Sequence, residues 1–283
     1  MMQMNSLHIY DDLIGPLFKL PVDLPQSPWM GHVPFMFALF QAIKPKTYLE
    51  LGVHNGCSLL AAATAASLYV PEAKIIGIDS WQGDDHAVYG DGNQILAKLT
   101  TTVTAHFTNV DLVRDFFDNH VSKVPDGSID LLHIDGLHTY EAVKHDYETW
   151  LPKLTKRGVI LFHDTHVFEQ DFGVHRLFSE VAANRPHANF KHSFGLGILA
   201  LGERSDYPDS FIALLDDAQM FEGYAALAYD VALSLQLRFE AAQHGAIDSY
   251  IPRSHEDQSL AIIPGSRSWK LIMALRKLRA KFS

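Results

Sequence analysis

Residues 47–60 read TYLELGVHNGCSLL. A short apolar run, Tyr48, Leu49 and Leu51, is interrupted by Glu50 and leads into two glycines four apart, Gly52 and Gly56. A run of small residues follows from Ala61 to Ala66. Strand, glycine turn and helix in that order form the first unit of a doubly wound α/β domain. Gly52 suits a tight turn where a ligand approaches the backbone, and Gly56 lets the helix begin close to it. The spacing Glu50-x-Gly52-x-x-x-Gly56 departs from the G-x-G-x-x-G fingerprint that cradles a pyrophosphate. A carboxylate at the strand end repels a pyrophosphate and suits a ligand carrying an ammonium group.

Lys74–Asp79 (KIIGID) reads as a second buried strand ending in an acid. An acid at this strand end accepts hydrogen bonds from ribose hydroxyls in dinucleotide folds, and Asp79 is placed to do the same. Ser80 and Trp81 follow directly; Trp81 either packs on an adenosine or is a buried structural residue. The pattern then predicts a helix over Asp91–Ala105 and a strand over Val110–Arg114. Asp115, just beyond that strand, is a candidate for contact with an adenine amino group. Asp118–Val124 reads as a short helix ended by the turn at Pro125–Ser128.

Ile129–Asp135 (IDLLHID) is the fourth strand, and Asp135-Gly136-Leu137-His138 leaves it with an acid and a histidine three residues on. Thr139–Leu151 reads as a helix with Thr139 as N-cap. Val159–Phe162 is a fifth strand running into His163-Asp164-Thr165-His166. Two acids and two histidines at strand ends admit two readings. In one, they cap loops and bond to backbone. In the other, Asp135 and Asp164, with His163 as a further ligand, hold a divalent metal such as Mg²⁺ or Mn²⁺, and His138 is the general base.

Residues 47–60 resemble motif I of the class I methyltransferases that use S-adenosylmethionine, with Glu50, Gly52 and Gly56 in matching positions. The segments IGIDSWQGD (76–84), LLHIDGLHTYEAVKHDYETWLPKL (131–154) and GVILFHDTHVFEQDFGV (158–174) extend the likeness. Together they resemble a family associated with bacterial surface-polysaccharide and macrolide-sugar O-methylation, over roughly Pro28 to Gly202. The resemblance implies a Rossmann-like, doubly wound, seven-stranded sheet whose first, fourth and fifth strands are neighbours. It implies S-adenosylmethionine bound by Glu50, Gly52, Gly56, Ser58, Asp79, Ser80, Trp81 and Asp115. It also implies Asp135 as metal ligand and His138 as base. The family places acids after the fifth strand, where this chain has His163-Asp164; Asp164 carries over directly.

The chain has 283 residues, 47% hydrophobic and 20% charged, with a formal charge of −10. That is room for one α/β domain and an appendage, and the acidic balance argues against a general nucleic-acid binder. A single cysteine, Cys57, excludes intrachain disulfides and reads as small packing. Neither a signal peptide nor a spanning apolar run is evident, so a cytoplasmic protein is expected.

Residues 1–46 read as an N-terminal cap or lid: Pro34 opens a helix that is apolar almost all round and therefore expected to be buried, and Ser27–His32 form a loop carrying Trp29. The methyltransferase domain is assigned to 47–202, its last part (Asn189–Leu201) a hairpin bent at Gly195 and Gly197. A helical extension spans 203–243, with Leu214, Phe221, Ala228, Leu235 and Phe239 spaced for packing within the chain or for a homodimer seam. Residues 244–266 read as a linker. Residues 267–283 form a basic amphipathic helix that docks on a partner such as a glycosyltransferase, or lies on an anionic membrane surface. The expected function is O-methylation of a sugar hydroxyl on a surface glycan or glycoside. Two rivals are a non-haem iron oxygenase using His133-x-Asp135, and a non-catalytic glycan-assembly subunit.

Overall fold

The structure, a computed structural model, describes residues 10–83, 90–169 and 171–243. The expected linker at 244–266, the basic helix at 267–283 and Asp84 lie outside the described residues. Seven strands form one sheet: β1 (Thr47–Leu51), β2 (Lys74–Asp79), β3 (Val110–Arg114), β4 (Ile129–Ile134), β5 (Leu154–His163), β6 (His187–Phe190) and β7 (Leu196–Ala200). Their order is β3-β2-β1-β4-β5-β7-β6. The first five strands are parallel, while β7 runs antiparallel to both β5 and β6. The chain leaves β1 toward β2 on one side and returns to β4 on the other. That reversal opens a crevice at the carboxyl ends of β1 and β4.

Both faces of the sheet are covered, which is why its strands are nearly continuous apolar runs. Helices α1 (Val33–Ile43), α2 (Cys57–Tyr69), α3 (Gly92–His106), α7 (Asp209–Asp216) and α8 (Ala218–Gln243) share one core with Tyr48, Leu131, Val159 and Leu161. Helices α5 (Tyr140–Trp150) and α6 (Val174–Ala182) share the other with Leu49, Leu51, Leu132, Ile160 and Phe162. A short helix, α4 (Phe117–Val121), precedes β4. Strand alternation sends neighbours to opposite cores: Tyr48 and Glu50 to the first face, Leu49 and Leu51 to the second.

Helix α1 is buried over nearly its whole surface, so it belongs to the core. It stops at Lys44, in the left-handed region at φ 46°, followed by Pro45, which cannot continue a helix. Thr139 caps α5 by accepting from the Ala142 N–H, and Asp91 caps α3, as their side chains favour. Strand β5 begins five residues earlier than its apolar run suggests, because Leu154 pairs with Ile129 before a register shift. The bend between β6 and β7 is at Gly195 (φ +94°). Gly197 instead lies inside β7, opposite Phe162 and Asn189, where any Cβ would run into the Phe178 ring. The 203–243 extension is a helical pair whose Leu214, Phe221, Ala228 and Leu235 are buried against this chain's own core. Among the described residues, no helix is long and apolar enough to cross a membrane.

Candidate active site

The glycine turn and the fourth strand meet directly. Asp135 N–H donates to the Leu51 carbonyl at 2.8 Å, and a Cβ at Gly52 (φ +89°) would collide with the Asp135 carbonyl oxygen. Gly56 (φ +86°) faces the Leu99 side chain of α3. Gly52 is thus demanded by backbone packing, and both glycines by their positive φ, which a side chain would strain.

Asp79 closes the turn from the β2 side. Its Oδ2 accepts from the backbone amides of Val53 (2.9 Å) and His54 (2.8 Å), and Oδ1 accepts from Trp81 N–H (2.6 Å). It is 4% exposed, so in this arrangement its carboxylate holds the turn together. Trp81 is buried and its indole N–H donates to the His54 carbonyl at 2.8 Å. Ser80 Oγ accepts from Gln82 N–H. Asp115 is turned toward α4, accepting from Asn119 and Lys123.

Glu50 is placed away from the crevice. Fully buried, it accepts from the Tyr48 hydroxyl at 2.5 Å on one oxygen and from Ser58 Oγ at 2.6 Å on the other. In the sheet its neighbours are Gly77 and His133. His133 Nδ1 lies 3.7 Å from Glu50 Oε2, and His133 Nε2 accepts from the Trp29 indole N–H at 3.1 Å. An indole nitrogen can only donate, so Nε2 carries no proton. Glu50 and Ser58 thus fix a buried network and are not positioned to pair directly with a ligand's ammonium. His133 is committed to the same network, with Nε2 facing Trp29 and Nδ1 facing Tyr48 and Glu50, and it is not among the acid–imidazole group that could hold an ion, which speaks against the His133-x-Asp135 iron site.

The carboxyl ends of β4 and β5 bring the acid–imidazole group together. His138 Nε2 is 2.9 Å from Asp164 Oδ2 and 3.7 Å from Asp135 Oδ1. His163 Nδ1 is 3.1 Å from that same Asp164 oxygen and 3.2 Å from that same Asp135 oxygen. His163 Nε2 donates to the Ser193 carbonyl at 3.1 Å. Burial lowers His138, but hydrogen bonds to Asp135 and Asp164 outweigh it and hold the imidazole at about 9. Burial likewise opposes the charge on His163, yet the two carboxylates keep it well above the ordinary imidazole range. Burial would raise both acids; the His163 charge and bonds from both imidazoles bring Asp135 and Asp164 below the ordinary carboxylate range.

Ligand atoms of Asp135, His138 and Asp164 lie within 4.8 Å of one another, and His138 Nε2 at 2.9 Å from Asp164 and 3.7 Å from Asp135 is inside the span of about 4.2 Å that two bonds of about 2.1 Å cover. The donor set therefore fits a divalent cation. Asp164 sits at φ +61° and Ser193 at φ +51°, both in a region that costs about 1–2 kcal/mol for a side-chain-bearing residue.

Several contributors were not singled out in the sequence. Phe172 stacks on the His138 ring at 4.9 Å between centroids, and Ser193 fixes His163 from the β6–β7 loop. His54 lies between the two glycines at φ +48°; burial pulls its imidazole down, against the Asp79 and Asp135 charges. Only its position inside the glycine turn gave a sequence signal for any of these.

Residues 49–165 match the family described as "Methyltransferase domain". The chain is 39% identical over 179 residues to the uncharacterized protein y4gI of Sinorhizobium fredii, covering 63% of this chain and 20% of that protein. It is 30% identical over 122 residues to the uncharacterized protein R132 of Acanthamoeba polyphaga mimivirus, covering 42% and 51%. The chain thus spans about a fifth and about half of the length of these two relatives. Among solved structures it is similar to the Podospora anserina methyltransferase PaMTH1 bound to SAH (15% identity, 61% of this chain and 78% of that one, TM-score 0.45). It is also similar to a methyltransferase from Geobacter sulfurreducens (14% identity, 60% and 78%, TM-score 0.44). The segment that matches the methyltransferase-domain family, residues 49–165, is the one that supplies the glycine turn, Asp79, Asp135, His138 and Asp164.

Proposed function

We propose that the chain is an S-adenosylmethionine-dependent O-methyltransferase acting on a hydroxyl of a sugar-containing acceptor, with His138 as base. The observation that carries this reading is the abutment of Gly52 on Asp135, which sets the glycine turn beside the acid–imidazole group at the carboxyl ends of β1 and β4. The turn Gly52–Gly56 contains no lysine or arginine and is braced by the Asp79 carboxylate. That chemistry suits a donor without phosphates. The sugar acceptor is supported by the resemblance of residues 76–84, 131–154 and 158–174 to glycan and macrolide-sugar methyltransferases. A site at the inner membrane face, reached through residues 267–283, belongs to the same proposal.

In the reaction the acceptor oxygen attacks the methyl carbon in line. The C–O bond forms as the C–S bond breaks, the sulfur leaves as a neutral thioether, and the hydroxyl proton passes to His138 Nε2. Proximity supplies much of the acceleration. Phe172 fixes the plane of the His138 ring, and Asp164 sets its direction. The two carboxylates beside it raise the His138 imidazole to about 9; neutralising Asp135 and Asp164 with positive charge would bring it back toward the range of a base. A divalent ion held there would supply that charge and acidify a bound hydroxyl.

Isothermal titration with S-adenosylhomocysteine tests the cofactor assignment: micromolar binding is expected, and none at millimolar concentration would overturn it. Transfer of tritiated methyl from S-adenosylmethionine to a polysaccharide extract tests the acceptor. Labelling of protein or small aromatics alone would refute a sugar substrate.

A further inference from the structure

The loop after β5 borders a groove of about 850 Å³, within the range of about 300–1,000 Å³ that ligand pockets occupy. The groove lies between α6, the edge strand β6 and the junction of α7 with α8. It begins at Thr165, the residue after Asp164. This stretch of loop is held in place: Asp164 N–H donates to the Gly195 carbonyl at 3.1 Å and His166 N–H to the Phe194 carbonyl at 2.7 Å. Phe168 lines the groove and is 64% exposed, its ring 5.0 Å from the rings of both His166 and His175.

The polar atoms of the groove match hydroxyl groups. His187 Nδ1 donates to the Arg185 carbonyl at 2.8 Å, leaving Nε2 as an acceptor. Thr165 Oγ donates to Asn189 Oδ1 at 2.7 Å, leaving the Asn189 amide nitrogen as a donor. His175 Nδ1 is buried without a hydrogen-bond partner. A hydroxyl both donates and accepts, so a single ligand class can satisfy all three. The two acids of the groove are already paired. Asp216 accepts from Arg204 at 2.8 and 2.9 Å, and Glu222 accepts from Lys191 at 2.6 Å. No lysine or arginine lines the groove itself, so a phosphate would enter beside two carboxylates and without the cation that it favours.

We propose that this groove binds the acceptor, and that the acceptor is an uncharged glycan or glycoside. A sugar ring offers an apolar C–H face to Phe168 and hydroxyls to His175, His187 and Asn189. The same chemistry rejects nucleotide sugars and phosphorylated glycans. The inference rests on the proposed methyl transfer to a sugar hydroxyl and narrows its acceptor.

The test applies the full chain, with and without S-adenosylhomocysteine, to an array of neutral, uronic-acid-containing and phosphorylated bacterial oligosaccharides, and to uridine-diphosphate hexoses. Titration calorimetry then measures the affinity of each ligand retained. Neutral glycans are expected to bind, and phosphorylated or nucleotide-linked forms of the same sugars at least tenfold more weakly. Phe168→Ala should weaken the neutral ligand about tenfold, through loss of the aromatic face. His187→Ala should weaken it about two- to tenfold, through loss of one hydrogen bond. Both residues are exposed, and thermal unfolding checks that each variant folds as the native chain does.

A preference for phosphorylated or nucleotide-linked ligands would overturn the proposal. So would neutral binding that both substitutions leave intact, or no glycan bound at millimolar concentration. Failure of the methyltransferase reading gives a different result. Glycan binding that depends on Phe168 in a chain that does not bind S-adenosylhomocysteine would refute that reading alone. Cofactor binding with no neutral glycan bound would refute the groove alone.

Discussion

The indole Nε1 of Trp29 donates to Nε2 of His133 across 3.1 Å, joining the N-terminal segment to the fourth strand 104 residues later. Both side chains are buried, so neither end of this bond has water as a substitute. Trp29→Phe should destabilise the fold by about 1–3 kcal/mol, the cost of a buried acceptor left without its donor. Urea unfolding checks this, and a loss under about 0.5 kcal/mol would mean that the N-terminal segment is not anchored there.

Gly52 is held at φ +89° with no room for a Cβ beside the Asp135 carbonyl. Gly52→Ala should cost at least about 2 kcal/mol, combining backbone strain with displacement of β4. Because the displaced residue is Asp135, methyl transfer should fall more steeply than stability. Thermal unfolding alongside single-turnover rates separates the two effects.

His138→Ala should lower the rate of methyl transfer by about 10²–10⁴, the usual contribution of a general base. The affinity for S-adenosylhomocysteine should change less than about twofold, since the ring faces Asp164 and Asp135 and not the glycine turn. An equal loss in binding and rate would mark His138 as a structural residue.

Asp146 gives a pH dependence. On α5, buried beside the Gly136 turn, its carboxyl is pushed up by burial to about 7, against about 3.9 when unfolded. A folded-state value above the unfolded one means stability that is complete below pH ~3.9 and is lost as pH rises through about 7. Asp146→Asn should therefore be near neutral at pH 4 and more stable than the native chain by about 2–4 kcal/mol at pH 8. Chemical unfolding at the two pH values measures it; equal differences at both would show that Asp146 is not buried as an acid.

Read alone, the sequence determined the order of strands and helices, the glycine turn, and the strand ends that carry Asp79, Asp135 and Asp164. Those features follow from local rules: apolar runs that must be covered, a capping threonine before α5, and glycines where a side chain does not fit. The same rules placed Asp135 three residues before His138, and their meeting with His163-Asp164 needed only the neighbouring of β4 and β5.

What the tertiary structure decided is which way each polar group points. Glu50 and Asp79 were legible as acids at strand ends, but the hydroxyls of Tyr48 and Ser58 and the amides of the glycine turn claim their oxygens. Gly197 went the same way, because the Phe178 ring that it packs against comes from another element. A buried acid or imidazole pairs with the donor or acceptor that packing places within hydrogen-bond reach, and for Glu50, Asp79, His133 and His163 that partner is set by packing between elements, which sequence spacing does not encode.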